Sequence, residues 1–132
     1  MDFEKARDIQ GRLNKIIASL ELVYIKPQSV ICFRSWGSSS RALARIWSLP
    51  QIWQKALNVP AHYAIEVLSE KFDKLSEEEK TKVLIHELLH IPKTFSGALR
   101  PHRTGTFTLS QRVINSMYRE YKKKNKAKPL LY

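Results

Sequence analysis

The sequence predicts an α+β fold, a small mixed sheet packed on an N-terminal helix, a central helix carrying two histidines, and a C-terminal helix. Three observations lead there. Apolar residues recur at helical spacing in several separated segments, and short runs rich in β-branched and aromatic residues lie between them. A length of 132 residues with 43% hydrophobic content suits one domain, 1–132, built around one core.

The first segment, DFEKARDIQGRLNKIIASL, places Phe3, Ala6, Ile9, Leu13, Ile16, Ile17 and Leu20 at helical spacing, so a helix with an inward apolar face is expected there. LVYIKP (22–27) and SVICFRS (29–35) are rich in strand-forming residues and broken by Pro27, which predicts two strands joined as a hairpin. The serines at 38–40 can cap a short helix over SRALARIWSL, ended by Pro50, and PQIWQKAL then reads as a further turn or two of helix with proline at its start. Together these pieces form an insert. HYAIEVLSEKF (62–72) alternates Tyr63, Ile65 and Val67 against Ala64 and Glu66, the pattern of a strand with one polar face, with His62 on the surface at its start.

Ser76 followed by Glu79 is a capping box, and Glu77 to Glu79 put negative charge at the positive end of a helix dipole. A helix is therefore expected from about residue 77, through Val83, Leu84, Ile85, Leu88 and Leu89, until Pro92 stops it near 91. A last helix, LSQRVINSMYREYKKK, can be capped by Ser110 and carries Val113, Ile114, Met117, Tyr118 and Tyr121 on one face. A basic tail of about 122–132 follows.

Charge is unevenly distributed. Residues 1–92 hold 13 Lys and Arg against 11 Asp and Glu, whereas residues 93–132 hold 10 against Glu120 alone. Such a bias favours contact with nucleic acid or another polyanion, although a basic tail also serves solubility. Cys32 is the only cysteine, which excludes an internal disulfide and a cysteine-based zinc site within one chain, and VICFR marks it as a buried strand residue. No apolar run is long enough to cross a bilayer, and MDFEKARD lacks the basic-then-apolar layout of a signal peptide, so a cytoplasmic location without a membrane partner is expected.

The chemistry concentrates in VLIHELLHIP, residues 83–92. On a helix, His86 and His90 stand side by side, one turn apart, and can present two imidazoles to one zinc ion with little loss of entropy. Glu87 lies one residue along, near enough to reach a metal-activated water as general base. A catalytic zinc needs a third protein ligand and an open fourth position. Two residues compete: His102, reached through KTFSGALRP, where Gly97 allows a reversal and Pro101 stiffens the approach, and Glu120 on the final helix. His102 is favoured because its loop must turn back past the end of the helix. A developing oxyanion needs a donor, for which Arg100, Arg103, Tyr118 and Tyr121 are the candidates; the tyrosines equally suit core or snorkelling roles.

Residues 38 to 103, with HELLH at 86–90, a histidine after eleven further residues, the preceding strand and the LSEEEK cap, resemble the small metallopeptidase family of archaea and phages. These are minimal zincins with an HExxH motif, distantly similar to SprT-like proteins. The resemblance implies a minimal zincin-like fold, a Zn2+ cofactor, ligands His86, His90 and His102, and Glu87 as the base for hydrolysis of peptide bonds in a peptide or protein substrate. It also implies that the strand over 62–69 borders the cleft and takes an extended peptide by strand addition, with broad specificity.

Two rival readings come from other classes. A nucleic-acid-binding protein would use the basic last third and stack bases on Trp36, Trp47 and Trp53, but RIWSLPQIW sets two of these among aliphatics, as packing residues are. SprT-like relatives suggest a combination, a protease acting on DNA-bound proteins. The other rival is a zinc-binding but inactive interaction module, which has no use for a base at Glu87.

Overall fold

A computed structural model describes residues 2–104 and 107–126. Strand β1 (Asp2–Lys5) leads into helix α1 (Arg7–Ser19); then come β2 (Val30–Trp36), β3 (Ala44–Ser48), α2 (Gln51–Leu57), β4 (Tyr63–Leu68), the short α3 (Ser69–Phe72), α4 (Glu77–Leu89), the hairpin strands β5 (Arg103–Thr104) and β6 (Phe107–Thr108), and α5 (Gln111–Lys124). The α+β expectation holds: four strands in the order β1-β2-β4-β3 form the main sheet, with helices packed on it.

The sheet is mixed because β2 runs parallel to β4 while β1 and β3 pair antiparallel with their neighbours. Successive side chains alternate between its faces. Val30, Cys32, Tyr63, Ile65 and Val67 point to the helical side and meet Ile9, Leu13 and Ile16 of α1 and Leu84, Ile85 and Leu88 of α4 in one buried cluster. Cys32 is buried there as expected, and burial first, with Asp8 second, pushes its thiol up to about 12.

Several local expectations fail where partners distant in sequence decide the outcome. Residues 2–5 form a strand, not the start of the first helix, because they pair with Phe33–Trp36; Phe3 consequently stands exposed on the far face of the sheet. Residues 22–26 form a turn, since Glu21 adopts φ 52° and redirects the chain, and Pro27–Ser29 make a 3-10 turn, so the predicted hairpin is absent and β2 joins β1 and β4 instead. No helix forms over SRALARIWSL (40–49); its residues 44–48 are β3 and those before it are irregular. Glu66, expected on a polar face, lies on the predicted side of its strand but is 1% exposed, under Arg45 and Trp47.

β3 is an edge strand. Leu68 N–H donates to Leu43 O (3.0 Å) and Leu49 N–H to His62 O (3.1 Å) at the two ends of its ladder with β4. Antiparallel alternation then turns the main-chain groups of Arg45 and Trp47 towards β4 and leaves those of Ala44, Ile46 and Ser48 facing outward. β4, expected to border a cleft with a free edge, is interior, between β2 and β3.

The Ser76 cap forms as predicted: Glu79 N–H donates to Ser76 Oγ (3.1 Å) and Ser76 N–H to Glu79 Oε1 (3.3 Å). α4 ends with His90 as its C-cap, and Ser110 caps α5 by accepting from Val113 N–H (3.3 Å). α5 runs to Lys124, so the expected tail is helical at its start; its residues 127–132 lie outside the described residues. Among the described residues no helix is long and apolar enough to cross a membrane.

Candidate metal centre

α4 presents His86 and His90 on one side, one turn apart, with ring centroids 5.1 Å from each other. His102 arrives from the segment after α4, its ring 5.1 Å from His86 and 4.8 Å from His90. Among the described residues these three form a group whose ligating atoms all lie within 4.8 Å of one another. His86 Nε2 and His102 Nε2 are 3.2 Å apart. Two imidazole nitrogens about 2.0–2.1 Å from one tetrahedral ion would lie roughly 3.3 Å apart, so the spacing fits a shared cation.

The loop that delivers His102 is held at several points. Tyr63 Oη accepts from Gly97 N–H (2.9 Å) and donates to Ala98 O (2.8 Å), while its ring meets Phe95 edge-on. Gln54 Nε2 of α2 donates to Ser96 O (3.0 Å) and to Leu49 O (2.8 Å). Gly97 has φ +96°, and a Cβ there would come 2.3 Å from Gln54 Nε2 and 2.6 Å from Leu49 O, so glycine is required for both conformation and space. Arg100 N–H donates to His90 O (2.7 Å), and His90 Nδ1–H donates back to Arg100 O. That second bond leaves Nε2 of His90 as the ligating atom, a common way to fix the tautomer and ring of a metal-binding histidine. Leu109 N–H donates to His102 O (2.7 Å), tying the third imidazole to the start of α5.

Glu87 is buried, 7% exposed, yet borders the cavities on either side of the histidines. Burial pushes its carboxyl up to about 7, and among the described residues no donor or cation offsets the loss of solvent. His86 moves the other way: burial, then the neighbouring His90 and His102, lower its imidazole to about 4. It is therefore neutral at physiological pH, the state that binds a metal.

One cavity, of about 380 Å³, is walled by Ala42, Leu43, Ala44, Val83 and Ile114 beside His86 and Glu87. The other, of about 500 Å³, lies along Ala44, Ile46, Leu99 and Arg100 and contains the three histidines. Neither the lining from β3 nor that from α5 is signalled by a sequence motif; only the assembled fold brings Ala42–Ile46 and Ile114 to α4.

The remaining candidates are dispersed. Glu120, the alternative third ligand, lies on α5, more than half exposed and ion-paired with Lys124 (3.5 Å), outside the histidine group. Tyr118 and Tyr121 pack against the core, with Lys82 Nζ 5.2 Å from the Tyr118 ring, and neither lines the two cavities. Arg100 borders the histidine cavity. Arg103 belongs to β5, and its side chain lies outside what is described. His62 is half-buried before β4, its Nδ1 bonded to Pro60 O (2.8 Å).

A family model described as "Putative phage metallopeptidase" matches residues 1–127. No curated protein and no solved structure matches the chain.

Proposed function

Because the chain belongs to the putative phage metallopeptidase family, we propose that it hydrolyses peptide bonds with zinc held by His86, His90 and His102 and with Glu87 as general base. The observation that carries this reading is the convergence of three imidazoles beside a buried carboxyl that borders the same cavity. Three imidazoles with a fourth position open to a cavity suit a catalytic zinc. The HELLH pattern at 86–90 supports a minimal zincin, distantly similar to SprT-like proteins.

When bound, zinc supplies the Lewis acidity that activates water near neutral pH and polarises a carbonyl. Glu87 takes the proton of the attacking water and passes it to the leaving amine. His90, oriented by Arg100 O, and His102, held through Leu109, keep the ligand set in place. An extended peptide pairs with the outward main chain of Ala44, Ile46 and Ser48, so the strand that receives substrate is β3. Arg100 borders that path and is the nearest candidate to meet a developing negative charge. The 380 Å³ cavity takes an apolar side chain next to the scissile bond. Its rim groups are already engaged: Glu79 in the capping box, Lys82 with Glu78 (2.9 Å) and Gln111 with Asn115 (3.0 Å).

Metal analysis of the purified protein should find about one zinc per chain, and Glu87→Gln should keep it while losing at least ~10²-fold in cleavage of an unfolded protein such as casein. Equal cleavage by both forms would remove Glu87 from the chemistry. A zinc-loaded protein that cleaves nothing would leave an interaction module.

A further inference from the structure

α5 has two contrasting sides. At about 100° per residue, Ile114, Met117, Tyr118 and Tyr121 cluster on the side that packs into the core, whereas Arg112, Arg119 and Lys123 fall within about 40° of one another on the opposite side. All three cations are exposed. None has an ion pair or hydrogen bond among the described residues. The one acid of the helix, Glu120, is paired with Lys124, which also reaches Glu21 (3.6 Å), and Lys122 lies within electrostatic reach of Glu78. Three charges thus stand in a row with nothing of opposite sign among the described residues to meet them, in the last third of a chain whose net charge is +11.

We propose that the Arg112–Arg119–Lys123 face of α5 is a docking surface for the phosphate backbone of nucleic acid. From Arg112 to Lys123 the row spans about 16.5 Å along the helix, the axial length of roughly five base pairs. Arginine suits the role because its planar fork grips two phosphate oxygens at once. An anionic membrane would ask for something different: a surface-lying helix sets apolar residues beside its cations so that they can enter the lipid. Here the apolar side of α5 is spent on the core, and its one large exposed apolar residue, Val113, lies about a quarter-turn from the row. Phosphate contacts of this kind carry no base information, so binding is expected to be independent of sequence.

The surface also leaves the candidate cleft open. Gln111 and Ile114 wall the cavity next to Glu87 from the inner side of the same helix, so a duplex on the outer side and a peptide at β3 do not compete for space. The proposal nonetheless stands apart from the peptidase reading, because it needs neither metal nor cleavage.

Fluorescence anisotropy of a labelled 20-base-pair duplex, titrated with the full chain between 50 and 200 mM NaCl, tests it. Three phosphate contacts predict a slope of log affinity against log salt of about −2.7. Replacing the row (R112Q/R119Q/K123Q) should weaken binding at least tenfold at 50 mM and flatten the slope. A variant losing the same charge at the exposed lysines Lys55, Lys74 and Lys93 should bind like the parent. Equal weakening by both variants would mean diffuse attraction and overturn the docking surface, as would tighter binding to phosphatidylserine vesicles than to the duplex. Should the triple variant fold poorly, the single Arg119→Glu is expected to cost several-fold in affinity, and an unchanged affinity there overturns the proposal.

Discussion

His102 is the ligand most exposed to solvent and the one supplied by a loop, so its removal tests the centre with the least damage to the core. His102→Ala is expected to leave less than a tenth of the bound zinc at micromolar protein, while Glu120→Ala, which removes one of the two carboxylates paired with Lys124, keeps all of it; the reverse result by atomic emission would move the third ligand to α5. A second residue-scale prediction concerns Arg34. Its guanidinium forks onto both oxygens of Asp8 (2.6 and 2.8 Å) and onto Asp73 (2.9 and 3.1 Å), joining α1, β2 and the turn after α3. The Arg34 hydrogen bonds hold both carboxyls below their ordinary values. A depressed carboxyl stabilises the fold fully above its unfolded value, near 3.9, and that contribution disappears as pH falls through the folded value. Urea unfolding of Arg34→Met should therefore show about 1–2 kcal/mol lost at pH 7, discounted for the solvent around both aspartates, and a difference from the parent that shrinks below about pH 4. A gap constant down to pH 2.5 would mean that Arg34 acts by packing.

At the scale of elements, the start of α4 matters because the first metal ligand lies only three turns beyond it. Ser76→Ala removes one half of the capping box and should cost about 1 kcal/mol in denaturant unfolding, with little effect on metal content, since Val83 to Leu88 are fixed by packing. The edge of β3 gives a sharper test. Proline at Ile46 deletes an outward N–H and no ladder bond, so Ile46→Pro should fold yet raise KM for peptide substrates about tenfold or more. Trp47→Pro, which deletes a bond to β4, should lose stability as well. If Ile46→Pro cleaves normally, substrate does not pair with β3. The same elements separate what the sequence reveals from what it conceals. α4 and α5 are legible because caps, apolar periodicity and the Pro92 stop are all local, and with them His86, Glu87 and His90 become legible as neighbours. β3 is not: Ala, Leu and Arg favour a helix over 41–46, and only pairing with β4, some twenty residues on, overrides that preference. β1 is hidden for the same reason, its partner β2 lying thirty residues away. Glu66 follows the alternation of its strand, but nothing in the order of residues shows that Arg45, Trp47 and Ser35 will all converge on its carboxylate. Burial raises that carboxyl; the donors together bring it below its ordinary value.

For the molecule as a whole, the candidate ligands join α4 to the segment that leads into β5, β6 and α5, so a bound ion would brace the C-terminal third against the core. A ligand that binds only the folded state at a thousand times its Kd adds about 4 kcal/mol. Chelation should accordingly lower Tm by about 15 °C, and the shift should vanish in His86→Ala; a Tm indifferent to chelator would mean that the three histidines hold no ion. The clasp between His90 and Arg100 bears on how such a centre survives sequence drift. It is made by main-chain groups at position 100, which almost any residue supplies, so the orientation of the metal-facing ring is inherited from the course of the backbone and not from the identity of that residue. Gly97 has no such latitude. Variation between His90 and His102 should thus be broad at exposed positions such as 93 and 94 and nearly forbidden at 97, a contrast that a saturation library scored for metal retention would display in a single experiment.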